Sequence, residues 1–159
     1  MISGTRGADV ATSVRQVLRL IDDWYPRSCK TEKDFEKSLI RHLEKNLTKA
    51  DIIKQYAAGR VKGDIVVDKE VLLELKQGLD STSKVQRLLG QIEIYNAEWR
   101  GSVVIVICGK SQADLLKMVK KKVDDLAPGL LDILALQKIY MRVKDKFAPP
   151  KKTASFLGW

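Results

Sequence analysis

The sequence predicts an α/β fold with the element order αβββαβ, a mixed central sheet flanked by helices. Three observations carry that prediction. Residues 102–108 read Ser-Val-Val-Ile-Val-Ile-Cys, an uninterrupted apolar run of the kind that forms a strand buried on both faces. Residues 64–67 and 71–76 are two runs of β-formers separated by Asp68-Lys69-Glu70, which reads as a hairpin. Segments 31–47 and 83–99 place apolar residues at helical spacing, and strand, crossover helix and buried strand make a right-handed βαβ unit.

The elements follow in order. The first nine residues are expected to be disordered. Val14, Val17, Leu18, Ile21 and Tyr25 form a helical stripe before Pro26. Thr31 followed by Asp34 offers an N-cap, and Phe35, Leu39, Ile40, Leu43 and Leu47 make the stripe of the next helix. At roughly 100° per residue Glu36 falls inside that stripe, where a carboxylate needs a partner. Glu32 lies on the same side, but in the first turn, where the helix dipole accounts for it. Residues 51–56 read as a strand and 57–60 as its turn.

Beyond the hairpin, Ser81-Thr82-Ser83 is a polar linker and cap. Val85, Leu88, Leu89, Ile92, Tyr95 and Trp99 then share one broad helical face. Gln91 and Tyr95, four apart, are neighbours on that helix, and Gln91 and Lys84 sit at the stripe's edge, where a side chain can meet a ligand while the stripe packs. Residues 112–126 read as a helix with Leu115, Met118, Val119 and Val123 inward, broken by Pro128-Gly129. Residues 130–143 suit either a helix or a pair of short strands, and 133–136 is read as strand. One domain over residues 10–146, with its core at 31–109, is expected. The tail, 147–159, carries Phe156 and Trp159 after a Pro-Lys segment and either folds back or anchors into a second subunit or partner.

The hairpin also carries chemistry. If Asp68-Lys69-Glu70 is the loop, Val67 pairs with Val71 and Asp64 stands opposite Glu74, with Cβ atoms roughly 4.5–5.5 Å apart. Lys76, two residues on, shares the face. A loop of two or four residues would throw Asp64 to the other face. Two carboxylates, with the Leu75 carbonyl between Glu74 and Lys76 as a further oxygen ligand, suit a hard ion such as Mg²⁺, which keeps waters and takes a substrate phosphate. A neighbouring ammonium can act on the attacking water and offset charge in the transition state.

Composition is consistent with a partner that is a polyanion. The 159 residues are 45% hydrophobic and 31% charged, ordinary globular values, yet carry a net charge of +9. Basic clusters occur at Lys120-Lys121-Lys122 and Lys151-Lys152, while Arg60 and Lys62, beside Asp64, are better phosphate candidates. Cys29 and Cys108 give neither a disulfide framework nor metal spacing. No signal peptide and no apolar run near the roughly 20 residues of a membrane span is evident, so the expected location is cytoplasmic, in a cell or an infected host. Gly109-Lys110-Ser111 imitates the end of a P-loop, but Val104 stands where that loop needs glycine. His42 has no Cys or His companion at ligand spacing.

A helix with inward Glu36, a strand, a hairpin with Gly63-Asp64 and Glu74-Leu75-Lys76, a helix with Gln91-Ile92-Glu93-Ile94-Tyr95, and a buried strand together resemble the PD-(D/E)XK, or restriction-endonuclease-like, superfamily over residues 31–109. The Gln-x-x-x-Tyr pattern of Gln91 and Tyr95 is similar to that of RecB-type nuclease domains, where that helix borders the active site. The resemblance implies a metal-dependent nuclease cutting DNA, with RNA left open, and Mg²⁺ or Mn²⁺ as cofactor. It implies Asp64 and Glu74 as metal ligands, Lys76 acting on the attacking water and Glu36 as an additional acid near the metal. Leu75 completes the implied metal set, and Arg60, Lys62 and Lys84 are the nucleic-acid candidates. Gly63 replaces the first letter of the motif and permits a sharp turn into the strand. Small members of the family often act as dimers, so a homodimer is expected from the resemblance. Two other readings stay open: a nucleic-acid-binding module without catalysis, and an assembly subunit docking through its tail.

Overall fold

The computed structural model describes residues 12–129 and 136–144. In chain order these form α1 (Val14–Asp23), α2 (Glu32–Asn46), β1 (Ile52–Ala58), β2 (Val61–Val67), β3 (Val71–Gln77), α3 (Thr82–Glu98), β4 (Ser102–Cys108), α4 (Ala113–Asp125) and β5 (Ile139–Lys144). The strands lie side by side in sequence order. β1, β2 and β3 run antiparallel to their neighbours, whereas β3, β4 and β5 are parallel, so the sheet is mixed as expected. No helix among the described residues is long and apolar enough to cross a membrane.

Side-chain caps start α1, α2 and α3, whereas Gln112 before α4 makes none. Ser13 and Gln16 close a capping box on α1, Thr31 and Asp34 close one on α2, and the Ser81 hydroxyl accepts from the Lys84 N–H at the start of α3. The helices cover both faces of the sheet. α1 and α2 pack on Leu73, Leu75, Val104 and Val106, while α3 and α4 pack on Leu72, Val103, Ile105 and Ile107. β4 therefore buries odd residues on one side and even residues on the other, which is why its sequence shows no alternation. His42 joins the first pair, with Nε2 2.8 Å from the Leu20 carbonyl oxygen.

The β2–β3 register matches expectation: Val67 pairs with Val71, Val66 with Leu72 and Ile65 with Leu73. Asp68 and Lys69 both have left-handed backbones (φ 52° and 55°), the pattern of a type I′ turn, and the Glu70 N–H donates to the Val67 carbonyl at 3.0 Å. Glu70 is the extra residue that shifts the register, and its own carbonyl accepts from the Ser102 N–H of β4 at 2.9 Å. Asp68 holds the turn: its carboxylate accepts from the Asp51 N–H (2.8 Å) and the Thr12 N–H (2.7 Å). A Cβ on Gly101 would stand 1.9 Å from the Glu70 carbonyl oxygen, so only glycine lets β4 approach this turn.

Several expectations are corrected. β1 continues through Ala57 and Ala58, which pair with Lys62 and Val61, leaving Gly59-Arg60 as the turn. α1 stops at Asp23 because Trp24 is extended (ψ 133°), and Trp24 rather than Tyr25 enters the core, its indole N–H donating to the Ser38 hydroxyl at 3.0 Å. Met118 is 37% exposed, beyond the edge of the face that Leu115, Val119 and Val123 bury. Of the strand read at 133–136, residues 133–135 lie outside the described residues and Leu136 is irregular and exposed. The strand in that stretch is Ile139–Lys144, which gains its ladder from β4. Residues 1–11 and the tail at 147–159 also lie outside the described residues.

Gly63 serves a purpose other than backbone freedom. Its φ is not left-handed, but a Cβ there would meet Leu72 Cγ at 2.7 Å, inside a fully buried side chain. Gly63→Ala is therefore expected to lower stability by about 1–3 kcal/mol through overpacking, read as a lower urea midpoint at unchanged m.

Candidate active site

The paired part of the β2–β3 ladder ends at Ile65 and Leu73, and Asp64 begins the divergence. Instead of a β2 carbonyl, the Asp64 carboxylate accepts the Leu75 N–H at 2.8 Å. N–H and C=O of one strand residue leave the same edge, so the Leu75 carbonyl faces the side on which Asp64 lies. On the face covered by α3, Glu74 is 3% exposed. Its Oε1 accepts from the Tyr95 hydroxyl at 2.8 Å, and its Oε2 accepts from Gln91 Nε2 at 3.2 Å and lies 3.1 Å from Lys76 Nζ. The helical neighbours Gln91 and Tyr95 thus meet one carboxylate, one oxygen each.

The electrostatics follow from burial. Asp64 is pushed up to about 7, first by burial and then by the Glu74 charge, against the Leu75 N–H; Glu36 and Glu32 add to the rise. Burial also raises Glu74, although Lys76, Tyr95 and Gln91 all favour its charged form. Tyr95 is raised by burial and by Glu74, so it stays a phenol and donates. Its single proton lies between Glu74 and the Lys62 carbonyl oxygen, the latter 2.5 Å away. Gln91 Oε1 is buried and has no hydrogen-bond partner among the described residues. Cys108, pushed up to about 12 chiefly by burial, is an inert core thiol.

Glu36 and Asp64 line one groove between α2 and β1, together with Gln55 and Lys54. Glu36 is half-buried, as its stripe position predicts, and its partner is Gln55, whose Nε2 donates to Oε2 at 2.6 Å. Among the described residues no group of three or more His, Cys, Asp or Glu gathers as a metal cage, so Glu36 does not join Asp64 and Glu74 in one cluster. Glu32 does more than meet the helix dipole: its Oε2 accepts the Gln77 N–H at 3.0 Å and ties α2 to the end of β3. Of the basic candidates, Lys62 is exposed, Arg60 is ion-paired with Glu98, and Lys84 Nζ is held at 3.0 Å by the carbonyls of Gln77 and Gly78.

Gln55 is the site residue that sequence reasoning missed. It is left-handed (φ 53°) inside β1, and the Gln55–Asp64 position is the one gap in the β1–β2 register. Nothing in Ile52-Ile53-Lys54-Gln55-Tyr56 signals this, because the strain is imposed where β2 bends away and is repaid through the bond to Glu36. Gln55→Gly is expected to change stability by less than about 1 kcal/mol, because relief of the left-handed backbone is offset by added chain entropy and the lost bond to Glu36, while freeing Glu36 and lowering turnover. Thermal melts and initial rates on one preparation check both halves.

A hard divalent cation fits this donor set. Two carboxylates whose charges burial opposes, Asp64 further against the charge of Glu74, with a strand-edge carbonyl beside them and an orphaned buried acceptor on Gln91, suit an ion with a partly water shell. No protein-family model matches the chain, and no curated protein matches it. Among solved structures it is similar to SfsA of Pyrococcus furiosus, determined in complex with Ca²⁺, at 16% identity and a TM-score of 0.42, a match covering 70% of this chain and 54% of that one.

Proposed function

We propose that this protein is a metal-dependent nuclease that hydrolyses phosphodiester bonds in DNA. The observation that carries the reading is the junction where β2 leaves β3, at which Asp64, the Leu75 backbone, Glu74 and Lys76 meet. Mg²⁺ or Mn²⁺ would be held by Asp64, Glu74 and the Leu75 carbonyl, with Glu36 acting through water, and would supply Lewis-acid activation of the scissile phosphate.

The chain's own residues do the rest. Gln91 and Tyr95 hold Glu74 in one orientation from opposite oxygens, so the carboxylate is preorganised. Lys76 Nζ, 3.1 Å from Glu74, orients the attacking water and offsets the negative charge that builds on the phosphoryl group. Gln55 restrains Glu36 at the groove. Lys62 contributes positive charge on the strand that carries Asp64, and Arg60 and Lys84 become available to phosphate on exchange from Glu98 and Asp80. The expected setting is cytoplasmic.

The test is incubation of the purified protein with supercoiled plasmid, linear duplex and single-stranded DNA in Mg²⁺, Mn²⁺ or EDTA, beside a Glu74→Ala/Lys76→Ala double variant. Cleavage that requires metal and is missing from the variant supports the reading. Salt-sensitive binding without cleavage under any metal would instead make the chain a binding module of the same fold.

A further inference from the structure

Resting on the reading that DNA is the substrate, we propose that α2 is the track for one strand of it: Lys33, Lys37 and Arg41 hold successive phosphates and lead the strand to Asp64. These three cations and Lys54 line the groove of about 940 Å³ that also contains Asp64. All four are exposed, and none forms an ion pair among the described residues. Four carboxylates share the groove: Glu36 is engaged by Gln55, Glu32 by the Gln77 N–H and Asp64 by the Leu75 N–H, while Glu44, a turn beyond Arg41, is exposed and forms no ion pair among the described residues.

Several other basic side chains are already in ion pairs, and among the cations that are not, these line the groove that holds Asp64. Arg60 is paired with Glu98, Lys84 with Asp80, Lys120 with Asp124, Lys121 with Asp125, and Lys122 with Glu93. A polyanion gains most where cations are not already in an ion pair, because no pair has to be broken to bind it. Spacing adds to charge. Residues four apart on a helix rise by about 6 Å, close to the separation of adjacent phosphates along one strand, and positions 33, 37 and 41 stay on one face. Lys54, on β1, closes the track from the opposite wall.

Fluorescence anisotropy of a labelled single-stranded oligonucleotide, across a salt series in EDTA, tests the track without requiring hydrolysis. Lys33→Ala/Lys37→Ala/Arg41→Ala is expected to weaken binding about tenfold or more at low salt and to flatten the log–log salt slope by about 2, from three contacts at roughly 0.7 each. Lys117→Ala/Lys120→Ala/Lys121→Ala removes the same formal charge from α4 and is expected to leave the slope nearly unchanged. Equal losses in the two triple variants, or no binding by the wild type, would overturn the track. Selective loss in the α2 variant with no cleavage by any form would retain the track and reject the nuclease.

Discussion

Asp64→Asn is expected to reduce metal-dependent cleavage by about 10³-fold or more while making the metal-free protein more stable at pH 8. The two effects share a cause. Asp64 is pushed up to about 7 because burial and the Glu74 charge disfavour its ionised form. Its folded value thus lies above the ordinary 3.8, so the stability it contributes is complete below about pH 4 and is lost as pH rises to about 7. The full shift corresponds to about 4 kcal/mol, and about 2–3 kcal/mol remains after allowing for partial solvent access. The asparagine amide still accepts the Leu75 N–H but carries no charge, so the variant escapes that loss. Urea unfolding in EDTA should show a gap of this size at pH 8 that closes towards pH 4. Added Mg²⁺ at pH 8 should raise the melting temperature of the wild type and leave the variant nearly unmoved. A variant less stable than wild type at pH 8 would show that burial of Asp64 is not a penalty.

Lys76→Ala is expected to move stability the other way. Its ammonium is the nearest cation to a Glu74 side chain that is only 4% exposed, and removing it leaves that carboxylate buried without its counter-charge. A loss of about 3 kcal/mol is expected at pH 8. Glu74 is already raised by burial, and without Lys76 it rises further, so the loss shrinks as pH falls and the carboxyl takes up a proton. Cleavage should fall by about 10²–10⁴-fold. Lys76→Arg separates charge from proton handling: guanidinium keeps Glu74 paired and recovers most of the stability, but its proton is far harder to give up. Recovery of turnover in Lys76→Arg would assign Lys76 a purely electrostatic part.

Much of the core was legible because its determinants are local. Thr31 and Asp34 announce α2, since a capping box involves only residues three apart. The face shared by Glu74 and Lys76 follows from the two-residue period of a strand. Gln91 and Tyr95 reach the same carboxylate because residues four apart on a helix are neighbours. The errors lie where a distant element decides. Met118 sits at the margin of a stripe whose burial ends with the sheet beneath it, and β5 is a strand because β4 offers it a parallel ladder.

The same division runs through the candidate site. The amino-acid sequence by itself determined the fold class, the order of elements and the three-residue loop that brings Asp64 towards Glu74, since each depends on period, capping or loop length. Only the tertiary structure decided what those residues face. Asp68 pins the turn through Asp51 and Thr12, β2 parts from β3 so that Asp64 takes the Leu75 N–H, Gln55 is held left-handed against Glu36, and Gly63 makes room for Leu72. Each of these is a contact between segments distant in the chain. Its energy arises from burial and from matching donors to acceptors across elements, which no local pattern of residues encodes.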